Sequence, residues 1–224
     1  MRTDNRVIDT SNKELKDFNP NNIRLEPKLQ DQYLLGFPKP SRYGIIWSDQ
    51  YQNQSVEIHR NGLVHYVYDY GSFDESSGKK TIWEYGIACN LLQAIQFADR
   101  VYSTSDFLGK VRIVLKVTNS MNSEIIKGNI FTHFNICNKC DAEEIYIERE
   151  WDSWRLKEDY LEIGKSIMDE FSNYYGLWKS INLMKGMGLS SFPIRNESYY
   201  QIFLFLHKQL LHSNPIKAQN LGLQ

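Results

Sequence analysis

Three groups of residues in this chain have types and spacings that could do chemistry. The first is His133-x3-Cys137-x2-Cys140. Thiolates and imidazole are good zinc ligands, and the short spacing lets one turn present two sulfurs together. A structural zinc site needs four ligands, no second pair follows, and Cys89 falls on the buried side of an expected helix. The plainer reading is ordinary free thiols. A redox role for the Cys-x-x-Cys would want a helix N-terminus to lower the thiol pKa, whereas this motif precedes an expected strand.

The second group is Glu148, Glu150 and Asp152, beside Arg149 and Arg155. Paired carboxylates can do general acid–base work or hold Mg²⁺, as a hydrolase or nuclease requires. Glu148 and Glu150 would share one face of a strand. The plainer reading is a solvated face with local ion pairs. The third group is aromatic. The chain has 14 Tyr, 11 Phe and 5 Trp, and rigid aromatics suit recognition surfaces as well as cores. Tyr66 and Tyr68 on a sheet surface, with Trp83 at a helix start, form the expected ligand-contact area. His59 and His65 are expected on opposite faces of a hairpin, without a nucleophile motif. Neither G-x-x-x-x-G-K-[ST] nor G-x-G-x-x-G is present, and Gly186-Met-Gly188 lacks a third glycine. No cofactor is expected.

The elements that must position these residues follow from local pattern. Residues 1–42 read as an irregular leader, punctuated by Pro20, Pro27, Pro38 and Pro40, because proline blocks helix interiors and removes ladder donors. A strand is expected over 43–47. Two more, 55–59 and 63–68, flank Asn61-Gly62, the preferred type I′ hairpin turn. That two-residue turn would set Ile58 opposite His65 and Val56 opposite Val67 as the core face. Glu57, His59, Val64, Tyr66 and Tyr68 would lie on the other, more amphipathic face.

After a polar loop at 71–80, Thr81-Ile-Trp-Glu84 fits a helical capping box. Ala88, Leu91, Leu92, Ile95 and Ala98 make the stripe of a helix ending near Tyr102. Residues 111–117 alternate as a strand, 119–142 read as loop with one short element, and 144–150 form a last strand. A second helix over 157–175 carries Tyr160, Ile163, Ile167, Phe171 and Tyr174 on one face and stops at Gly176. Asn196 would cap a third helix running to about His212, apolar nearly all round, buried or lying against a partner chain.

Bulk properties limit the setting. The chain has 224 residues, 42% hydrophobic and 24% charged, which describes an ordinary globular chain. A formal net charge of −1 leaves no global basic field to attract nucleic acid or a membrane surface. Three cysteines do not suggest a disulfide framework. Residues 1–20 lack the apolar run of a signal peptide, and no run reaches the roughly 20 residues of a membrane span. A reducing cytoplasm is the expected location.

Several stretches also resemble a known group. They are the hairpin from Ser55 to Tyr66, with Glu57-Ile-His-Arg60-Asn-Gly62-Leu-Val64 at its centre, the helix after it, the 111–117 strand, and Ile147-Glu-Arg-Glu-Trp-Asp152 with the helix ending in Tyr174-Tyr-Gly176. Their order resembles the region that follows the N-terminal DNA-binding domain in bacterial proteins of the Schlafen-type, divergent-AlbA group, over roughly 43–178. In that group the comparable hairpin reads E-I-x-R-x-G-x-V. The resemblance implies an accessory or sensor-like region rather than the nucleic-acid-binding part. The DNA-binding and ATP-related properties of the group's N-terminal domain do not carry over, no catalytic residue transfers, and the tail at 179–224 has no counterpart.

The sequence therefore predicts an α+β fold: a largely antiparallel sheet of about five strands, helices packed on one face, and a C-terminal helix. It divides into a leader (1–42), an α+β domain (43–178) and a helical tail (179–224). The expected function is a non-enzymatic binding or sensing module with a protein partner or small ligand, an accessory part of a nucleic-acid-associated or defence-type system. The alternatives are a metal-dependent hydrolase or nuclease using the carboxylates, and a structural subunit assembling through 196–212.

Overall fold

The computed structural model describes residues 8–20, 35–49, 54–69, 71–127, 134–178, 180 and 201–209, the last strand as backbone. In chain order the elements are α1 (Lys13–Asp17), β1 (Lys39–Pro40), β2 (Gly44–Ser48), β3 (Ser55–His59), β4 (Val64–Asp69), β5 (Gly71–Asp74), β6 (Lys79–Trp83), α2 (Glu84–Thr104), β7 (Lys110–Thr118), β8 (Glu124–Lys127), β9 (Phe134–Lys139), β10 (Glu144–Asp152), α3 (Arg155–Glu158), α4 (Tyr160–Asn173) and β11 (Gln201–Gln209). The class is α+β, as the sequence predicts.

Among the described residues there are two sheets rather than one sheet of about five strands. The larger has the order β1-β2-β3-β4-β11-β7-β10, and all its neighbours are antiparallel. The smaller runs β5-β6-β8-β9, with β6 and β8 parallel. The loop expected at 71–80 is therefore mostly the β5–β6 hairpin, and the ambiguous 119–142 stretch holds β8 and β9. The leader, expected to be irregular, carries α1, whose Leu15 is buried with Ile8. Asn12 caps that helix through its side chain, which accepts from the Glu14 amide at 2.8 Å.

The core lies between the larger sheet and its helices. Trp47, Val56, Ile58, Val64 and Tyr66 of β2–β4 join Ile113, Leu115, Ile145 and Ile147 of β7 and β10 in one buried cluster with α2 and α4. The stripe Ala88, Leu91, Ile95 and Ala98 is buried as its helical spacing requires. Phe97 meets Trp47 and Tyr66 edge-on, with ring centroids 5.9 and 5.7 Å apart. α4 contributes Ile163, Ile167 and Phe171, and Gly176 beyond it has φ +67°, the left-handed stop the sequence predicts. Glu84 is fully buried, and the Ser172 hydroxyl donates to it at 2.8 Å, which ties the start of α2 to the end of α4.

Three sequence expectations give way. The capping box fails because Thr81 and Trp83 belong to β6. α2 begins at Glu84 with no side-chain cap bond from Trp83, and pairing of β6 with β5 and β8 overrides the local signal. The C-terminal helix is instead a strand over Gln201–Gln209, inserted between β4 and β7. A short apolar run fits a buried strand as well as a buried helix. Ladders on both sides satisfy its backbone, so this segment is not an assembly helix; residues 196–200 and 210–212 lie outside the described ones.

The third correction concerns the hairpin. The His59 amide donates to Leu63 O at 2.8 Å and the Gly62 amide to His59 O at 3.0 Å. The loop is therefore three residues, Arg60-Asn61-Gly62, with Gly62 at φ +93° and no positive φ at Asn61. This is a bulged turn rather than the two-residue type I′ turn. One extra residue shifts the register by one: Val56 pairs with Tyr66, Ile58 with Val64 and Glu57 with His65. Because side chains alternate, β4 turns over relative to β3: Val64 and Tyr66 join Val56 and Ile58 inside, and His65 joins Glu57 and His59 on the other face. The buried Tyr102 hydroxyl donates to Gly62 O at 2.9 Å and fastens the loop to α2.

Gly62→Ala forces a side chain into the left-handed region and should cost about 1–2 kcal/mol. Tyr102→Phe should cost about 1 kcal/mol by leaving a buried carbonyl unpaired. Urea unfolding monitored by circular dichroism checks both, and a neutral Gly62→Ala would contradict the bulged turn.

Candidate metal centre

The register of the β3–β4 hairpin brings together three residues that a two-residue turn would separate. Glu57 and His59 are two apart on β3 and share the sheet face away from α2. His65 sits directly opposite Glu57 on β4. One ligand atom from each lies within 4.8 Å of the others. All three are partly buried. They are the group of His, Cys, Asp or Glu side chains able to hold a metal ion among the described residues.

Neighbouring elements hold these side chains in place. The Ser41 hydroxyl donates to Glu57 Oε1 and accepts the Gly44 amide at 2.9 Å, closing the turn before β2. Tyr43 stacks on the His59 imidazole, with ring centroids 5.1 Å apart and planes 8° from parallel. Gly44 lets β2 lie this close to β3: a Cβ there would meet Ile58 O at 1.9 Å. His59 and His65 meet edge-on at 6.4 Å.

Electrostatics suits a cation. His59 Nε2 is buried and lies 2.9 Å from Glu57 Oε2, yet the pair lacks hydrogen-bond alignment. A cation between them would engage both atoms. Burial holds the His65 imidazole down at about 4, from 6.5. The neighbouring His59 contributes to that lowering and Glu57 partly opposes it. His65 is thus neutral at pH 7, the form that ligates metal without first losing a proton.

The residues expected to form sites lie elsewhere. Tyr66 and Tyr68 are 1% and 5% exposed and stack on each other, 5.8 Å apart, within the core. Trp83 ends β6 in the other sheet. The proposed contact area is therefore not a surface; the same one-residue shift that assembles the metal ligands turns the two tyrosines inward. Glu148 and Glu150 do share a face of β10, but each pairs with a base on β7. Arg112 Nε is 3.1 Å from Glu148 Oε1, and Lys110 Nζ is 2.9 Å from Glu150 Oε1. Asp152 stands opposite Lys110. This is a ladder of exposed ion pairs rather than a cleft. Of the Cys/His cluster, His133 and the Cys137 side chain lie outside the described residues. Cys140 is a buried free thiol, 3.5 Å from Ala142 O.

Sequence reasoning missed the triad because it placed His59 and His65 on opposite faces. The signal was present: Glu-x-His on one strand, and a second His within reach across a tight turn whose Gly62 could as well be the bulge of a three-residue loop.

Comparison with known proteins finds no match among protein-family models, curated proteins or solved structures. Among the described residues, no helix is long and apolar enough to cross a membrane.

The His65 environment gives a pH prediction for the metal-free protein. The unfolded chain takes up this proton near pH 6.5 and the folded chain near 4. The stability contribution is thus full above pH 6.5 and is lost as pH falls toward 4, by up to about 3 kcal/mol. Urea midpoints in EDTA at several pH values should show that loss in the native protein and a flatter profile in His65→Leu.

Proposed function

We propose that this protein is a non-enzymatic binding or sensing module built around one divalent transition-metal ion held by Glu57, His59 and His65. The observation that carries this reading is the convergence of two imidazoles and a carboxylate within 4.8 Å on one face of the hairpin. Two nitrogen donors and one oxygen donor suit Zn²⁺ and its transition-metal neighbours. Ca²⁺ takes six to eight oxygens and Mg²⁺ a near-ideal octahedron of them, so both fit less well.

A sensing role is supported by how the site is connected. An ion on Glu57 and His59 would also stiffen the turn at Ser41 and Tyr43, through the Ser41–Glu57 hydrogen bond and the Tyr43–His59 stack. Ion occupancy would thereby change the order of a surface that a partner can read. The accessory position in a nucleic-acid-associated or defence-type system, which the Schlafen-type resemblance implies, belongs to the same proposal. The carboxylates of β10 are engaged in ion pairs, so hydrolysis at that strand has no supporting observation.

Calorimetric titration of the metal-stripped protein with Zn²⁺ should give one ion per chain. Saturation at about 100 times Kd should stabilise the fold by about 2.7 kcal/mol. His59→Ala or His65→Ala should abolish the binding. Ser41→Ala should weaken it by about 10-fold, at the lower end of what outer-shell losses cost. Glu150→Gln should leave it unchanged. Binding that survives His65→Ala would sink the proposal.

A further inference from the structure

This inference rests on the metal reading above and concerns what completes the ion's coordination. Glu57, His59 and His65 come from two adjacent strands and approach the ion from the sheet side. They supply three donors, and no fourth His, Cys, Asp or Glu joins the group among the described residues. A tetrahedral ion held this way keeps a position for an outside ligand.

Charge and shape point to the class of that ligand. A divalent ion with one carboxylate and two neutral imidazoles carries a net single positive charge. Cationic side chains stand at the same end of the hairpin. The Arg42 guanidinium lies 5.5 Å from the centroid of the Tyr43 ring, which itself stacks on His59. Arg60 donates to Arg42 O at 3.3 Å. Arg42 and Arg60 are exposed, and Tyr43 is 53% exposed beside the site. A guanidinium presents planar, paired donors that match the oxygens of a carboxylate or phosphate.

We propose that the open position takes an oxygen of an anionic ligand, a carboxylate or a phosphate, with Arg42 as its second contact and the Tyr43 ring as its wall. The anion neutralises the centre, and the guanidinium selects oxyanions over neutral donors.

The test uses the full-length protein loaded with Co²⁺, whose visible absorption reports coordination. Sodium acetate and inorganic phosphate are titrated separately, with perchlorate as the ionic-strength control. A saturable change with one of them, and none with perchlorate, is the expected result. Acetate response identifies a carboxylate ligand and phosphate response a phosphoryl one. Arg42→Ala should raise the half-saturating anion concentration by about tenfold while leaving the cobalt spectrum intact. A bound-cobalt spectrum that neither anion moves would overturn this inference alone. An unchanged anion affinity in Arg42→Ala would overturn the guanidinium's part. Failure to bind Co²⁺ at all would overturn the metal centre and this inference with it.

Discussion

The structure depends on the parity of one turn. Arg60-Asn61-Gly62 is a three-residue loop, and its odd count decides which side chains of β3 and β4 face the helices. With Val56, Ile58, Val64 and Tyr66 turned inward, the hairpin closes the core against Phe97 of α2. The same choice leaves Glu57, His59 and His65 together on the opposite face. Core packing and the candidate centre are therefore two consequences of one backbone event at Gly62, whose φ of +93° a side chain would resist. The burial of Tyr66 secures the register energetically, because a slip of β4 by one residue would expose Val64 and Tyr66 and turn the His65 imidazole into the core instead.

The remaining elements hold this hairpin within a larger frame. β11 enters between β4 and β7, so two sequence-distant parts of the sheet become one. On the helical side, the buried Glu84–Ser172 hydrogen bond and the Tyr102–Gly62 hydrogen bond run to opposite ends of α2. They connect α4, α2 and the bulged turn through neutral or singly charged hydrogen bonds whose loss in a dry interior is costly. The charged residues of β10 face solvent and pair with β7, where exposed ion pairs contribute little individually.

Much of the fold was legible locally. Over 111–117, Val111, Ile113, Leu115 and Val117 alternate with Arg112 and Lys116, and these four are buried in β7 while the two bases are partly exposed. Gly176 marks the stop after α4 because only a left-handed residue can end the helix there without strain. What escaped local reading depended on distant partners. Apart from Gln201, the sequence from Tyr199 to Leu206 is apolar, so it reads as apolar nearly all round a helix, and only the open edges of β4 and β7 make a strand the better burial for residues 201–209. Thr81 carries a good helical cap signal, but strand pairing with β5 and β8 claims it. Asn61-Gly62 suits a two-residue turn and a bulged three-residue turn alike, and the choice is made by which row of side chains finds a core. The candidate site was illegible for that reason alone: its residue types were visible, but their common face follows from the register.

In this register, Glu57, His59 and His65 would share one metal ion. Anomalous diffraction at the zinc edge from crystals of the zinc-loaded protein tests this most directly. The expected result is one peak on the hairpin face, about 2.0–2.2 Å from donor atoms of all three side chains. A peak at Cys137 and Cys140, or fully loaded crystals with no ion at the hairpin, would contradict it.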